Sequence, residues 1–207
     1  MGLFQICSSD TSTSQILVDC QSFEVAKISL ESLTETVGWL EALAIACLVR
    51  DARTASQHGA VDLHIPNGKI SGFEREAHLR TMTEAFAAYE LKAPHGLETS
   101  RQARALPRPD ALAFQPPVMV ERLHGATLDI LLALLTDDAE GFASAVRTAV
   151  AGQAAYVVED ERTHQHEMLH QWLFLGFAAK GHERGWLVEI YSGYFPTWMV
   201  ADESGGP

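Results

Sequence analysis

Residues 33–51, LTETVGWLEALAIACLVRD, carry the clearest helical pattern in the sequence. Its apolar residues recur at steps of three and four, which places them on one face of an α-helix; they are Leu33, Val37, Leu40, Ala44 and Cys47. Ser32 and Glu35 stand three residues apart at the start, which is the spacing of a capping box. The segment therefore predicts an amphipathic helix whose apolar face packs against a core.

Similar apolar spacing predicts further helices along the chain. The predicted segments are 73–91, a short helix at 98–105, 116–135, 139–158 and 163–180. Helices of this length, joined by short connections, pack as antiparallel pairs around a common core. We therefore expect an all-α fold of antiparallel helical hairpins stacked around one core, with a minor short strand element near residues 61–70.

The length of 207 residues suits one domain. Residues 1–28 are rich in Ser and Thr, and we expect an irregular lead-in there. Residues 29–200 carry all the predicted helices and are expected to form a single all-helical domain. The last residues, 201–207, contain two glycines and a proline and are expected to form a flexible tail.

The charge of the chain narrows the classes of partner. Fifteen basic residues against 27 acidic ones give a formal net charge of −12. An acidic surface repels phosphate backbones, so the charge argues against nucleic-acid binding and suits a basic protein partner. No apolar run approaches the roughly 18 residues of a membrane span, and the three cysteines form no CxxC pair. These features predict a cytoplasmic protein that binds no membrane.

One motif could carry chemistry. His166, Glu167 and His170 form an HExxH sequence, in which two imidazoles one helical turn apart can share a zinc ion and the glutamate can act as general base. The third ligand would have to come from Glu183 or Glu189, and of the two we assign Glu189. Ordinary solvated histidines on a helix explain the same pattern, and we favour that interpretation. We therefore predict no catalytic residue, metal or cofactor, and keep the zinc site as the alternative.

The order of several short motifs resembles a known family. Residues 39–51, WLEALAIACLVRD, resemble the "Trp, Ala-Leu-Ala, Cys-x-x-Arg-Asp" helix of the immunity-49 family. Pro116-Pro117 then opens a helix that ends at residues 134–138, LLTDD, and Glu140-Gly141-Phe142 and Tyr156 follow in the family's order. Residues 192–196, SGYFP, are similar to its closing turn. The resemblance covers roughly residues 30–200.

The family consists of all-helical immunity proteins from bacterial polymorphic-toxin systems. The resemblance therefore implies a binding protein and supplies no catalytic residues. Together with the charge, it predicts an immunity protein that neutralises a cognate toxin, expected to be basic, through an acidic helical surface. The alternative is a zinc-dependent hydrolase that uses His166, His170, Glu189 and Glu167.

Overall fold

In the computed structural model of the chain, the described residues are 13–18, 21–26, 36–60, 77–106, 120–159, 165–186, 188–190 and 192–200. Helices make up most of them, and the prediction of an all-α fold is confirmed. The helices are α1 (Thr36–Leu48), α2 (Ala52–Gly59), α3 (Ala77–Glu90), α4 (Gly96–Ala105), α5 (Gly125–Thr136), α6 (Ala139–Glu159), α7 (Gln165–Glu183) and α8 (Thr197–Val200). None of these helices is long and apolar enough to cross a membrane.

A short hairpin precedes the helices. Strands β1 (Thr13–Val18) and β2 (Gln21–Ala26) pair antiparallel, with Ile16 opposite Phe23. We expected irregular chain in this segment, and the structure differs because its β-branched and aromatic residues favour extended backbone. The strand expected near residues 61–70 lies outside the described residues, as does the tail at 201–207.

Three helices run in the same direction, side by side. Gly176 of α7 approaches Ala44 of α1 so closely that a Cβ on the glycine would stand 2.3 Å from the alanine carbonyl oxygen. One turn further along both helices, Cys47 and Lys180 both contact Glu90 of α3. The rings of Phe86 and Phe177 stack at 4.3 Å one turn before that point. Because the contacts advance in the same order along each helix, α1, α3 and α7 are parallel.

The remaining long helices complete a set of antiparallel hairpins. α4 begins where Gly96 packs on Ala88, and near its other end Arg104 holds Asp129 of α5 with two hydrogen bonds of 2.7 and 3.2 Å. α5 ends beside α7, and α6 turns back, with Gly152 against the backbone of Arg122. A π-helical turn, Val120–His124, leads into α5. The predicted stacking of antiparallel hairpins agrees with these contacts.

The closing segment packs against α7. Ser192 and Phe195 form an antiparallel bridge, and the ring of Phe195 stacks on Phe174 of α7 at 6.5 Å between ring centroids. Phe195 is buried as a result. Arg50, at the end of α1, donates a hydrogen bond of 2.5 Å to the Val200 carbonyl oxygen and so ties α8 to the first helix.

The short helix α2 packs on α1 through a buried histidine. His58 stacks on the ring of Trp39, with 4.9 Å between ring centroids, and its Nε2–H donates to the Trp39 carbonyl oxygen at 2.9 Å. Burial lowers the pKa of His58 below its ordinary value and outweighs the opposing effect of this hydrogen bond. The folded protein therefore favours the neutral imidazole.

Acid should weaken this contact. In the unfolded chain the pKa of His58 is near 6.5, whereas in the folded chain it is lower. The free energy of unfolding should therefore fall as the pH drops below 6.5. One proton limits the slope to about 1.4 kcal/mol per pH unit. We expect the wild type to lose stability relative to His58→Gln between pH 7 and 5 in urea denaturation. Parallel pH profiles for the two proteins would contradict this assignment.

Candidate functional site

Four helices end at one end of the bundle in the same backbone conformation. Among the described residues, the non-glycine residues with positive φ are Arg50 (57°), Lys92 (52°) and Asp137 (57°), and Gly185 has a φ of 78°. Each follows the last turn of one of the helices α1, α3, α5 and α7. Contacts already described place these ends next to one another. We call residues 49–51, 90–93, 136–140 and 183–186 the helix-end surface.

The helix ends are closed by Schellman-type hydrogen bonds. After α1, the N–H of Asp51 bonds to the Ala46 carbonyl and that of Arg50 to the Cys47 carbonyl. The N–H groups of Ala93, Asp138 and Trp186 make the corresponding six-residue bonds after α3, α5 and α7. Glycine is the residue that normally occupies the left-handed position, so three of the four ends carry a side chain at a conformational cost of about 1 kcal/mol each.

Replacing Lys92 by glycine should therefore stabilise the protein. Relief of the left-handed strain outweighs the extra flexibility of glycine in the unfolded chain, and we expect a gain of about 0.5–1 kcal/mol. The reverse change, Gly185→Ala, meets no atom within 4 Å but keeps a φ of 78°, and it should cost about 1 kcal/mol. Thermal unfolding of both variants measures the effect; a destabilised Lys92→Gly would contradict it.

The helix-end surface presents carboxylates at the C-termini of four helices and at the N-termini of α2 and α6. Asp137, Asp138, Glu140 and Glu183 are all exposed, with the Asp137 side chain 85% accessible. Asp138 also accepts a hydrogen bond of 2.9 Å from the Gly141 N–H and so caps α6. At the end of α1, hydrogen bonds from the Thr54 hydroxyl and N–H keep the pKa of Asp51 below its ordinary value. The C-termini of the four helices add negative potential, whereas the basic residues Arg50, Lys92 and Arg184 and the N-termini of α2 and α6 on the same surface oppose it, so the excess of negative charge is small.

Arg184 contacts residues from three of the four helix ends. Its guanidinium donates to the Leu134 carbonyl oxygen at 2.6 Å and to the Tyr89 hydroxyl at 3.4 Å, and lies 3.5 Å from the Asp137 carboxylate. It also lies over the ring of Trp186, 5.1 Å from the ring centroid. One arginine therefore connects the ends of α3, α5 and α7, and it fixes the partly exposed Trp186 in place.

The aromatic side chains at this end of the bundle pack against neighbouring helices. The ring of Trp186 meets that of Phe142 edge-on at 5.3 Å, and a Cβ at Gly181 would collide with the same Phe142 ring. Burial raises the pKa of Tyr89 to about 12, so its hydroxyl stays protonated at physiological pH. Rigid aromatic side chains of this kind lose little entropy when a partner covers them.

A buried polar cluster lies directly beneath the surface. The Cys47 thiol donates to Glu90 Oε1 at 3.4 Å, and Lys180 Nζ lies 3.7 Å from Glu90 Oε2. Burial, and then the neighbouring Glu90, raise the pKa of the Cys47 thiol well above its ordinary value. The thiol is therefore unreactive, as expected for a small buried side chain in the core. The cluster joins α1, α3 and α7 just below their ends.

The structure places the HExxH motif at the opposite end of α7. The helix begins at Gln165, so His166 and His170 lie one turn apart in its first turns, but the side chains of residues 165–171 lie outside those described. Glu189 is exposed in the segment that follows α7. Within the described part of the chain, no three His, Cys, Asp or Glu residues gather as a metal site. The prediction of no metal, and its alternative, a zinc site of His166, His170 and Glu189 with Glu167 as base, are both untested.

A comparison with models of known protein families identifies the family of this chain. A family model described as immunity protein 49 matches residues 2–199. The chain belongs to the immunity protein 49 family. No curated protein and no solved structure matches it. The suspected resemblance is thus confirmed.

The motifs that suggested the immunity protein 49 family have structural roles in this chain. Residues 39–51 form most of α1 and its left-handed end, and residues 134–142 form the turn between α5 and α6. The closing turn docks on α7. The helix-end surface was not predicted from the sequence, although three helices are followed by VRD, LKA and TDD without a glycine, which could have indicated it.

Proposed function

We propose that this immunity protein neutralises a cognate toxin of a bacterial polymorphic-toxin system by stoichiometric binding in the cytoplasm. The observation that carries the proposal is the helix-end surface of a member of an immunity-protein family. There, the exposed carboxylates of Asp137, Asp138, Glu140 and Glu183 lie on the same surface as Trp186, which Arg184 and Phe142 fix in place, and as the basic residues Arg50 and Lys92. The partner is a toxin whose contact surface is basic, and the immunity protein contributes no catalytic group.

Charge and rigidity support this role for different reasons. Exposed carboxylates and helix C-termini speed the encounter with a basic surface, mainly through the association rate constant. The contacts of Arg184 and Phe142 fix the surface before the toxin arrives, so little entropy is lost on binding. A net charge of −12 adds long-range attraction for any basic partner.

Co-expression with the toxin tests the proposal. We expect a neighbouring gene to encode a long protein with a C-terminal toxin domain, and expression of this chain should protect cells from that domain. Reversing two exposed charges, Glu140→Lys and Glu183→Lys, should slow association about tenfold at low salt, with less effect at high salt. Each of the two reversals is also made singly and compared with Glu84→Lys, which changes the net charge equally and lies roughly 9 Å before Glu90 on α3 and outside the surface. The proposal would be contradicted if cells stayed unprotected, or if Glu84→Lys slowed association as much as the reversals at Glu140 and Glu183.

The helical placement of residues 166–170 favours a second candidate function, a zinc-dependent hydrolase. In that case His166, His170 and Glu189 would bind the metal and Glu167 would activate water. Stoichiometric zinc in protein purified without a histidine tag, lost in His166→Ala, would support it. Zinc-free protein that still protects cells would exclude it.

A further inference from the structure

Very few side chains hold the short helix α2 against the bundle. Within α2, every residue of which is described, the buried residues are Ala55, His58 and Gly59. A methyl group and a glycine bury little area, so His58 is the one buried residue of this helix with a large side chain. The attachment of α2 therefore depends on a single histidine.

His58 attaches α2 to the start of α1. It is 7% exposed, its ring stacks on that of Trp39 at an interplanar angle of 25°, and its Nε2 lies 2.9 Å from the Trp39 carbonyl oxygen. Trp39 is itself buried, and its indole N–H has no acceptor among the described residues. Water that reaches this ring when α2 moves away can accept a hydrogen bond from the N–H, which favours opening.

A second contact of α2, with α3, involves its backbone. A Cβ at Gly59 would stand 3.3 Å from the Glu90 Cβ and 3.5 Å from the Ala87 carbonyl oxygen. Because Gly59 has no side chain, this contact adds shape but no anchoring group. It cannot hold α2 in place once His58 has left Trp39.

The charged side chains described on α2 and on the helices packed against it are engaged elsewhere. Glu41 follows Trp39 by two residues and so lies on the opposite side of α1, and Arg53 is exposed. The others bind different residues: Arg50 binds Val200, Asp51 binds Thr54, Arg80 binds Glu84, and Glu90 binds Cys47 and Lys180.

A proton on His58 therefore places a positive charge in a buried contact. Burial lowers the pKa of the imidazole more than the Trp39 carbonyl raises it, and the charge of the amino terminus lowers it further. In water the same ring takes up a proton near pH 6.5. Acid thus favours any arrangement in which His58 is exposed.

From this geometry we infer that α2 is an acid-released latch, which leaves Trp39 in mild acid while the other helices stay folded. The single anchor confines the effect to α2, and opening uncovers the indole of Trp39, an apolar surface hidden at neutral pH. One proton is taken up, so the open form gains at most about tenfold for each pH unit below 6.5. The inference does not depend on the proposed function.

Amide hydrogen exchange of the full chain, resolved by residue, tests the latch. A detached helix of eight residues does not persist in water, so the N–H groups of Ala55 and Ala60 exchange whenever α2 opens. After correction for intrinsic exchange rates, their protection should fall several-fold, up to about tenfold, between pH 7.5 and 5.5. The N–H groups of Leu131 and Leu134 in α5 should stay far better protected at both pH values.

The short helix α4 is the internal control. It also buries small residues, Gly96, Ser100 and Ala103, and no histidine, so its protection should depend much less on pH. His58→Phe keeps an aromatic ring against Trp39 and cannot be protonated, and protection at α2 should then be independent of pH. If this variant does not fold, His58→Gln replaces it, with α2 less protected at pH 7.5 and no further loss in acid.

Three results would overturn the latch. The first is unchanged protection of α2 in the wild type between pH 7.5 and 5.5, and the second is the same fall in the variant that lacks the histidine. The third is equal protection of α2 and α5 at pH 5.5, because α2 would then open only when the whole chain unfolds.

Discussion

Replacing Gly176 by alanine is expected to destabilise the protein by about 3 kcal/mol and to lower its melting temperature by about 6–12 °C. The added Cβ would stand 2.3 Å from the Ala44 carbonyl oxygen and 2.7 Å from its Cα. Both are backbone atoms, so the strain cannot be relieved by a rotamer change, and α1 and α7 would have to separate. The higher helix propensity of alanine, about 1 kcal/mol, does not offset this.

The same substitution at Gly193 is the control. A Cβ there meets no atom within 4 Å, so Gly193→Ala should leave the melting temperature almost unchanged. Thermal and urea unfolding of the two variants measure the difference. Equal stability for Gly176→Ala and Gly193→Ala would show that α1 and α7 do not pack as closely as described, and would remove the basis for their parallel arrangement.

Replacing Lys180 by methionine is expected to cost about 3 kcal/mol. Lys180 and Glu90 are 11% and 6% exposed and lie 3.7 Å apart, so the change leaves a carboxylate buried with only the Cys47 thiol as a described donor. Breaking a buried ion pair from one side is strongly destabilising, whereas replacing both partners by neutral groups is much less so. The double variant Glu90→Gln, Lys180→Met should therefore recover most of the lost stability.

An exposed ion pair provides the comparison for the double-mutant cycle of Glu90 and Lys180. Arg80 and Glu84 lie 3.9 Å apart one turn apart on α3, with both side chains exposed. Neutralising either should change stability by no more than about 0.5 kcal/mol. Additive effects of the Glu90 and Lys180 substitutions would contradict a coupled buried pair and, with it, the way in which α1, α3 and α7 are joined below their ends.

Much of the helical architecture could be predicted because apolar periodicity reports burial directly. Leu40, Ala44 and Cys47 predicted α1, and all three are buried. The predicted segments 139–158 and 163–180 correspond closely to α6 and α7. α2 was missed because it is short and its residues are mostly polar. Its start depends on Asp51, whose carboxylate accepts from the Thr54 N–H at 2.9 Å, and this single cap is a weak signal in a sequence.

The helix-end surface could not be predicted because it depends on how helices are arranged and not on one segment. Arg50, Lys92 and Gly185 are far apart in sequence, and the helix ends that they close lie at one end of the bundle only because α1, α3 and α7 are parallel. The composition predicted an acidic protein but no position for its carboxylates. Net charge says nothing about which carboxylates share a face.

A titration of the toxin's activity with this protein distinguishes neutralisation by binding from neutralisation by catalysis. Toxin activity should fall in proportion to the immunity protein added and reach zero at one equivalent, at once and independently of further incubation. Glu167→Gln should give the same endpoint, because binding needs no general base. Progressive inactivation by a small fraction of an equivalent, abolished in Glu167→Gln, would show that the protein acts as an enzyme and would contradict neutralisation by binding.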